Sequence, residues 1–248
     1  MDTPQNIYDN EKFYNDYISM RETHLNANDL LEIPVMKELL PDLKGKTVLD
    51  LGCGYGEMSK YFIEKGATRV VACDISTKMI ALANKIHSDP KIEFKLLSME
   101  ELSSLDEKFD VVFSSLAFHY IEDFDKLMKD ISNHLNKGGI LLFSQEHPIA
   151  TSSTNADGKK KKFDEDGKRY FLLSDYNNEG KRGVNWNVDG VIKYHRTFKT
   201  TINTIINNQM EIVCVDESSP RPEAVAKVPK YIYQKDKPYF IFVKAMKK

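Results

Sequence analysis

The sequence of 248 residues predicts an α/β fold: a doubly wound, mostly parallel sheet of seven strands. Three observations carry this. Short apolar runs at 47–53, 69–74, 91–97, 109–114 and 139–145 alternate with helix-like stretches near 56–65, 76–87 and 122–136. The first run ends on Gly52-Cys53-Gly54-Tyr55-Gly56, a glycine turn leading straight into a helix. Two further strand-like runs, Met210 to Val215 and Tyr239 to Lys244, complete the count.

The elements follow in order within a single domain spanning 1–248. Residues 1–44 read as a helical lid: Tyr8, Phe13, Tyr14, Tyr17, Met20 and Arg21 recur at helical spacing between residues 8 and 40, and Leu30, Leu31, Val35, Leu39 and Leu40 form a second amphipathic run. Residues 45–146 are the strand and helix alternation, with the helix over 122–136 stopped by Lys137-Gly138-Gly139. Residues 147–196 break the rhythm as an inserted cap after the fifth strand, read as short antiparallel strands with a mobile tip. Its lysine run, Lys159 to Lys162, lies among Asp157, Asp164, Glu165 and Asp166, so local charges nearly cancel and a solvated loop is expected. In 197–248, Thr197 to Asn208 reads as a helix, and a loop carrying Pro220, Pro222, Pro229 and Pro238 separates the last two strands.

Composition bounds the partners. The formal net charge is −2 with 29% charged residues, which supplies no global field for a polyanion or an anionic membrane. Cys53, Cys73 and Cys214, an odd number in or beside strands, fit a reducing compartment. The opening residues lack a basic stretch leading into an apolar run, and no segment reaches the ~20 apolar residues of a membrane span. A cytoplasmic protein without nucleic-acid or membrane partners is expected.

The glycine turn and the carboxylate ending the second strand, Asp74, form a nucleoside-binding layout: glycines admit close backbone approach, and a carboxylate about twenty residues on can accept from both ribose hydroxyls. Dinucleotide sites use G-x-G-x-x-G, with a pyrophosphate on the helix end. Here the pattern is Gly52-x-Gly54-x-Gly56, with Glu57 next and Asp50 two residues before the first glycine. Carboxylates there would repel a pyrophosphate and suit a ligand carrying an ammonium group, such as S-adenosylmethionine.

Val48-Leu49-Asp50-Leu51-Gly52-Cys53-Gly54-Tyr55-Gly56 resembles the first motif of class I S-adenosylmethionine-dependent methyltransferases, whose fold is Rossmann-like. Ser98-Met99-Glu100-Glu101-Leu102 stands where that family has its adenine-edge motif, and Phe109-Asp110-Val111-Val112-Phe113-Ser114 resembles its fourth strand. Met20-Arg21, Ser114 to Tyr120, Glu146-His147-Pro148-Ile149 and Lys193 to Thr197 are similar to phrases of its small-molecule, methyltransferase type 11 (UbiE-like) subgroup. The resemblance implies S-adenosylmethionine as cofactor and S-adenosylhomocysteine as product. It implies a site in which Asp50, Gly52, Cys53 and Gly54 surround the methionine end, with Arg21 on the cofactor carboxylate. Asp74 would take the ribose, Ile75 and Met79 flank the adenine, Ser98, Met99 and Glu100 meet its edge, and Ser114 completes the wall. Many relatives have Asp where this chain has Ser98.

Methyl transfer from a sulfonium needs alignment and exclusion of water more than covalent help, and a base only where the acceptor must lose a proton. Candidates at the strand ends are His119, His147 and Tyr17, followed by Tyr120, Glu146, His195 and Tyr14; a histidine just past a strand also serves commonly as a packing or capping residue. No metal is implied, since the six histidines lack ligand spacing with cysteines or carboxylates. The cap aromatics Tyr170, Phe171, Tyr176 and Trp186 fit either an acceptor pocket or the contact of a homodimer. The expected function is methyl transfer to a small molecule at N, O or C. The alternatives are a non-catalytic binder of the same cofactor and, with less support, an NAD-dependent oxidoreductase.

Overall fold

The computed structural model describes residues 4–154, 161–163 and 169–248. At the centre are five parallel strands: β1 (Thr47–Leu51), β2 (Arg69–Asp74), β3 (Ile92–Leu96), β4 (Phe109–Ser114) and β5 (Leu135–Glu146). With β10 (Met210–Glu217) and β11 (Phe240–Lys247) they form one seven-stranded sheet in the order β10-β11-β5-β4-β1-β2-β3, β11 running antiparallel to both neighbours. This is the Rossmann-like architecture the alternation predicts. β1, β2 and β4 are buried on both faces, hence their near-continuous Val, Leu, Ala and Phe content.

From β1 the chain runs outward to β2 and β3, then crosses back to β4 on the other side of β1. The loops after β1 and β4 therefore diverge, opening a crevice at the carboxyl ends of the strands. Helices α3 (Glu57–Glu64) and α4 (Thr77–Ile86) carry the β1–β2 and β2–β3 crossovers, and α5 (Phe124–His134) leads into β5. One core cluster centres on Leu49, Val112, Phe143 and Met128, the other on Val48, Phe62, Phe113 and Phe242.

The N-terminal region is broken rather than one helical run. A turn at Ile7–Asp9 precedes α1 (Glu11–Glu22), His24 adopts φ 51°, and a π turn at Asn28–Glu32 leads into α2 (Ile33–Leu39). Asn10 caps α1 by accepting from Phe13 N at 3.1 Å.

Two expectations are corrected. α5 stops at His134, before the Lys137-Gly138-Gly139 signal, because Leu135 is drawn into pairing with Phe109 and buried. The proline-bearing connection between β10 and β11 is helical in two pieces, α8 (Pro222–Lys227) and a turn at Pro229–Lys235, each started by a proline whose missing N–H has no helical partner to lose.

In the insertion, α6 (Pro148–Thr151) is followed by two antiparallel hairpins, β6 (Lys161–Phe163) with β7 (Arg169–Phe171) and β8 (Gly180–Trp186) with β9 (Val188–His195). The tip and the first half of the lysine run lie outside the described residues. Helix α7 (Phe198–Asn207) then leads back to the sheet.

Candidate functional site

A cavity of about 1080 Å³ fills the crevice, roofed by the N-terminal segment and hairpin β8–β9. Its volume lies just above the ~300–1,000 Å³ of single small-ligand sites. Of the sequence-predicted cofactor residues, Arg21, Asp50, Gly52, Cys53, Gly54, Asp74, Ile75, Met79, Ser98, Met99 and Glu100 all line it.

The glycine turn is held from below. Gly52 N and Cys53 N both donate to Cys73 O, at 2.8 and 3.0 Å. The glycines have different reasons to be glycine. A Cβ on Gly52 would stand 2.6 Å from the Ala117 Cβ, whereas one on Gly54, at φ 55°, would meet nothing within 4 Å. Beside its backbone strain, Gly54 leaves open space over the crevice.

Asp74 closes this end. Its Oδ2 accepts from Gly54 N at 2.8 Å and its Oδ1 from Ser76 N at 2.8 Å, so one carboxylate joins the glycine turn to the start of α4. Burial raises its pKa, against the pull of those two N–H groups. Asp50 accepts from Ser59 Oγ at 2.5 Å, and burial pushes it up to about 7. The Ser98 hydroxyl donates to the Glu100 carboxylate, and its oxygen accepts from Glu100 N at 3.3 Å. Ser98 thus caps the turn at Met99–Ser104, a role its Asp counterpart could fill equally.

Arg21 is buried, with 7% of its surface exposed, and is not a solvated helix charge. Its Nη2 reaches Glu57 Oε2 at 2.5 Å and Asp29 Oδ1 at 3.1 Å, and its Nε donates to the Tyr55 hydroxyl at 3.2 Å. The guanidinium therefore offsets the Glu57 charge beside the glycine turn.

The other end of the cavity is lined by Tyr8, Tyr17, His119, Tyr120, Glu146, Trp186 and Lys193. The Tyr8 and Tyr120 rings meet edge to face with centroids 6.3 Å apart. Burial pushes the Tyr17 phenol up to about 12. Glu146 Oε1 pairs with Lys193 Nζ at 2.5 Å, and that ammonium lies 5.0 Å from the Trp186 ring centroid and 5.9 Å from that of Tyr120. His119 Nδ1 accepts from Glu146 N at 3.4 Å, and burial lowers its pKa to about 3. With Nδ1 facing that N–H, Nε2 is the ring nitrogen left for another partner.

Three expected residues turn away from the cavity. Ser114, at the end of β4, donates to Leu51 O at 2.8 Å and braces two strands. His147 Nδ1 accepts from Ile149 N at 3.1 Å, capping α6, while Nε2 faces Glu217 Oε1 at 2.7 Å. Both ring nitrogens have partners, so His147 joins β5, α6 and β10. His195 is likewise held, by Thr151 Oγ1 at 2.8 Å and Tyr176 O at 2.9 Å. Tyr14 lies outside this cavity, near the Lys78 ammonium. Among the described residues, no group of three or more His, Cys, Asp or Glu is arranged to hold a metal ion, and no helix is long and apolar enough to cross a membrane.

A family model described as a methyltransferase domain matches residues 49–143. A Haemophilus influenzae protein described as uncharacterized is 38% identical over 223 residues, spanning 88% of this chain and 87% of its own. The crystal structure of an S-adenosylmethionine dependent methyltransferase from Mesorhizobium loti is similar with a TM-score of 0.82 at 32% identity, covering 90% of this chain and 98% of that one. The chain belongs to the S-adenosylmethionine dependent methyltransferases. Its cofactor is S-adenosylmethionine. Juvenile hormone acid O-methyltransferase of Bombyx mori is 37% identical over 112 residues, which span 42% of this chain and 40% of that enzyme.

Sequence reasoning missed three polar residues of this methyltransferase. Asp9 accepts from Ser76 Oγ, Thr77 N, Thr77 Oγ1 and Lys78 N, latching the N-terminal turn onto α4. Glu32 is fully buried, its Oε1 accepting from Ser115 and Ser144. Lys193 faces inward, and here a signal existed: Val191, Lys193 and His195 alternate along β9 and all three are buried.

Proposed function

We propose that this methyltransferase transfers the methyl group to a small-molecule acceptor bound beneath hairpin β8–β9, next to the cofactor in the same cavity. The observation that carries this reading is the continuity of one cavity of about 1080 Å³, lined both by the glycine turn and by aromatic and ionisable side chains. A relative that acts on a small molecule, the Bombyx mori enzyme, supports it. The net charge of −2 argues against a polyanionic acceptor.

The residues present fit the cofactor. Gly54 leaves backbone exposed to an open space, the Asp74 carboxylate has lone pairs left for ribose hydroxyls, and Ile75 and Met79 supply apolar contact for the adenine. Met99 and Glu100 edge the purine. Asp50 gives the methionine end a carboxyl acceptor for an ammonium group, while the Glu57 charge is taken up by Arg21. When bound, S-adenosylmethionine supplies a methyl group on a sulfonium, already a good leaving group. The protein's part is then to hold the acceptor in line and exclude water. Tyr8, Tyr17 and Tyr120 wall the space between the two halves, and the N-terminal segment acts as the lid: Asp9 bonds to α4, and Gln5 Oε1 accepts from Ile192 N of the cap at 2.8 Å.

The test is calorimetric titration with S-adenosylmethionine, S-adenosylhomocysteine and NAD, followed by turnover of methyl-labelled cofactor against fractionated small molecules and against RNA. Binding of the two adenosyl-sulfur ligands with label entering small molecules is expected. Label entering RNA alone, or none at all despite cofactor binding, would sink the reading.

A further inference from the structure

The N-terminal segment and hairpin β8–β9 roof the site, and a short strap of chain ties them to the loop below. Residues 5–9 reach the hairpin at one end, where Gln5 Oε1 accepts from Ile192 N at 2.8 Å. At the other end they reach the loop assigned to the cofactor. Asn6 Nδ2 donates to Ile75 O at 3.1 Å and to Asp9 Oδ2 at 2.8 Å, so the strap is braced on itself where it meets that loop. Asp9 in turn accepts from Ser76 Oγ, Thr77 N and Lys78 N at the start of α4. Gln5, Ile7 and Tyr8 of the strap also line the cavity.

The hairpin depends on ties of this kind, because a two-stranded ribbon is at best marginally stable alone. Its base is fixed to α6 and the residue that follows: Arg182 Nε donates to Ser152 O at 3.1 Å, and His195 Nδ1 meets Thr151 Oγ1 at 2.8 Å. Further along β9, Lys193 pairs with Glu146. The tip, which turns at Asn187 with φ 57°, leans on the N-terminal region instead. The Trp186 ring meets Phe13 edge to face at 5.1 Å, and Lys12 Nζ donates to Asn187 O at 3.0 Å. Tyr8 packs edge to face on the same Phe13 at 5.0 Å, so the strap also touches the ring that supports the tip.

We propose that residues 5–9 link the two halves of the site, so that a cofactor seated on Asp74 orders hairpin β8–β9 over the acceptor through Asp9 and Gln5. This rests on the cofactor and acceptor positions given above. Gln5 and Asp9 are positioning residues, and the acceptor site is assembled by the cofactor. The cause is entropic. A bound ribose removes freedom from the loop that carries Ile75 O and Ser76 Oγ, so docking the strap on that loop costs less, and a docked strap presents Gln5 to Ile192 N. Linkage makes the effect reciprocal: an ordered hairpin strengthens cofactor binding by the same factor.

The test is amide hydrogen exchange of the full chain, read residue by residue in NMR spectra with and without saturating S-adenosylhomocysteine, whose binding is checked by calorimetry. In wild type the ligand is expected to slow exchange at Ile192 and its neighbours in β9 by about fivefold or more, the scale of coupling between sites. Gln5→Met cuts the strap from the hairpin, and Asp9→Ala cuts it from α4. In each variant, with the ligand still saturating, the effect on β9 should shrink to less than about twofold. A role of these residues in stability alone would speed exchange in β9 equally with and without ligand and leave the ligand effect intact. That outcome, or a β9 that does not respond to the ligand in wild type, overturns the proposal. Failure of S-adenosylhomocysteine itself to bind the wild-type protein would instead defeat the cofactor-site reading on which it rests.

Discussion

Asp9 Oδ1 accepts from Ser76 Oγ at 2.6 Å, joining the N-terminal turn to the start of α4 across 67 residues of sequence. Helix α4 is capped twice over. Ser76 takes Met79 N at 3.1 Å from within, while Asp9 takes Thr77 N at 3.2 Å and Lys78 N at 3.1 Å from another segment. The loop thus capped, from Asp74 to Ser76, is also the loop assigned to the ribose.

Removing this external cap should therefore loosen the roof and the cofactor together. Asp9→Ala is expected to cost about 1 kcal/mol of stability, as for other helix caps, and to speed dissociation of S-adenosylhomocysteine measured by stopped flow. The four donors outweigh burial and hold the Asp9 carboxyl down, from 3.8 to about 2. Its stabilisation is then complete above 3.8 and lost as pH falls through about 2. Thermal melts of wild type and Asp9→Asn should differ by a constant amount above that window and converge below it; parallel curves throughout would contradict the latch.

Asp74 tests the cofactor end. Asp74→Asn keeps one oxygen as acceptor but loses the charge and puts an NH2 group where Gly54 N or Ser76 N now donates. Affinity for S-adenosylmethionine should fall by about 1.5–3 kcal/mol, the scale of a hydrogen bond to a charged group. Calorimetry giving wild-type affinity would remove Asp74 from the site.

The histidines should separate cleanly. His119, lowered to about 3 by burial, should show no imidazole titration between about pH 5 and 8 in NMR spectra of the ring carbons. His147→Ala removes the α6 cap and the Glu217 contact, so it is expected to cost about 1–2 kcal/mol in chemical denaturation while leaving S-adenosylhomocysteine affinity unchanged. A variant of normal stability but without turnover would restore His147 as a catalytic residue.

That difference marks how far the sequence could be read. Strands β1 to β5, the glycine turn and Asp74 were legible because their signals are local: apolar runs, closely spaced glycines and a carboxylate at a fixed distance. His119 and His147 look alike in sequence, each shortly after a strand. Their fates are set by distant partners: His147 is pinned by Tyr239 O, accepting from its N–H at 2.8 Å, and by Glu217. Ser114 turned out to be bonded to the neighbouring strand for the same kind of reason, through Leu51 O. The N-terminal aromatics were legible as a helical stripe, but not Phe13 packing edge-on against Trp186 at 5.1 Å, a contact between the two ends of the roof.

Glu32 is the residue least visible in advance. A carboxylate in an apolar helical run reads as solvated, yet it is fully buried because Ser115 and Ser144, 83 and 112 residues further on, donate to its Oε1. Its Oε2 is buried without a hydrogen-bond partner, and burial pushes the carboxyl from 4.5 up to about 7, against the pull of both serines. The folded chain then holds a proton that the unfolded chain has released between those two values, so Glu32 makes wild-type stability fall as pH rises through that window. Glu32→Gln keeps the carbonyl acceptor for both serines and has no proton to lose. Its stability relative to wild type should rise by on the order of 2 kcal/mol from acid to neutral pH, read as diverging denaturation midpoints. Curves that stay parallel from pH 4.5 to 7 would mean that Glu32 is ionised in the folded protein and that Arg21, whose charge acts on it, is its true counterion.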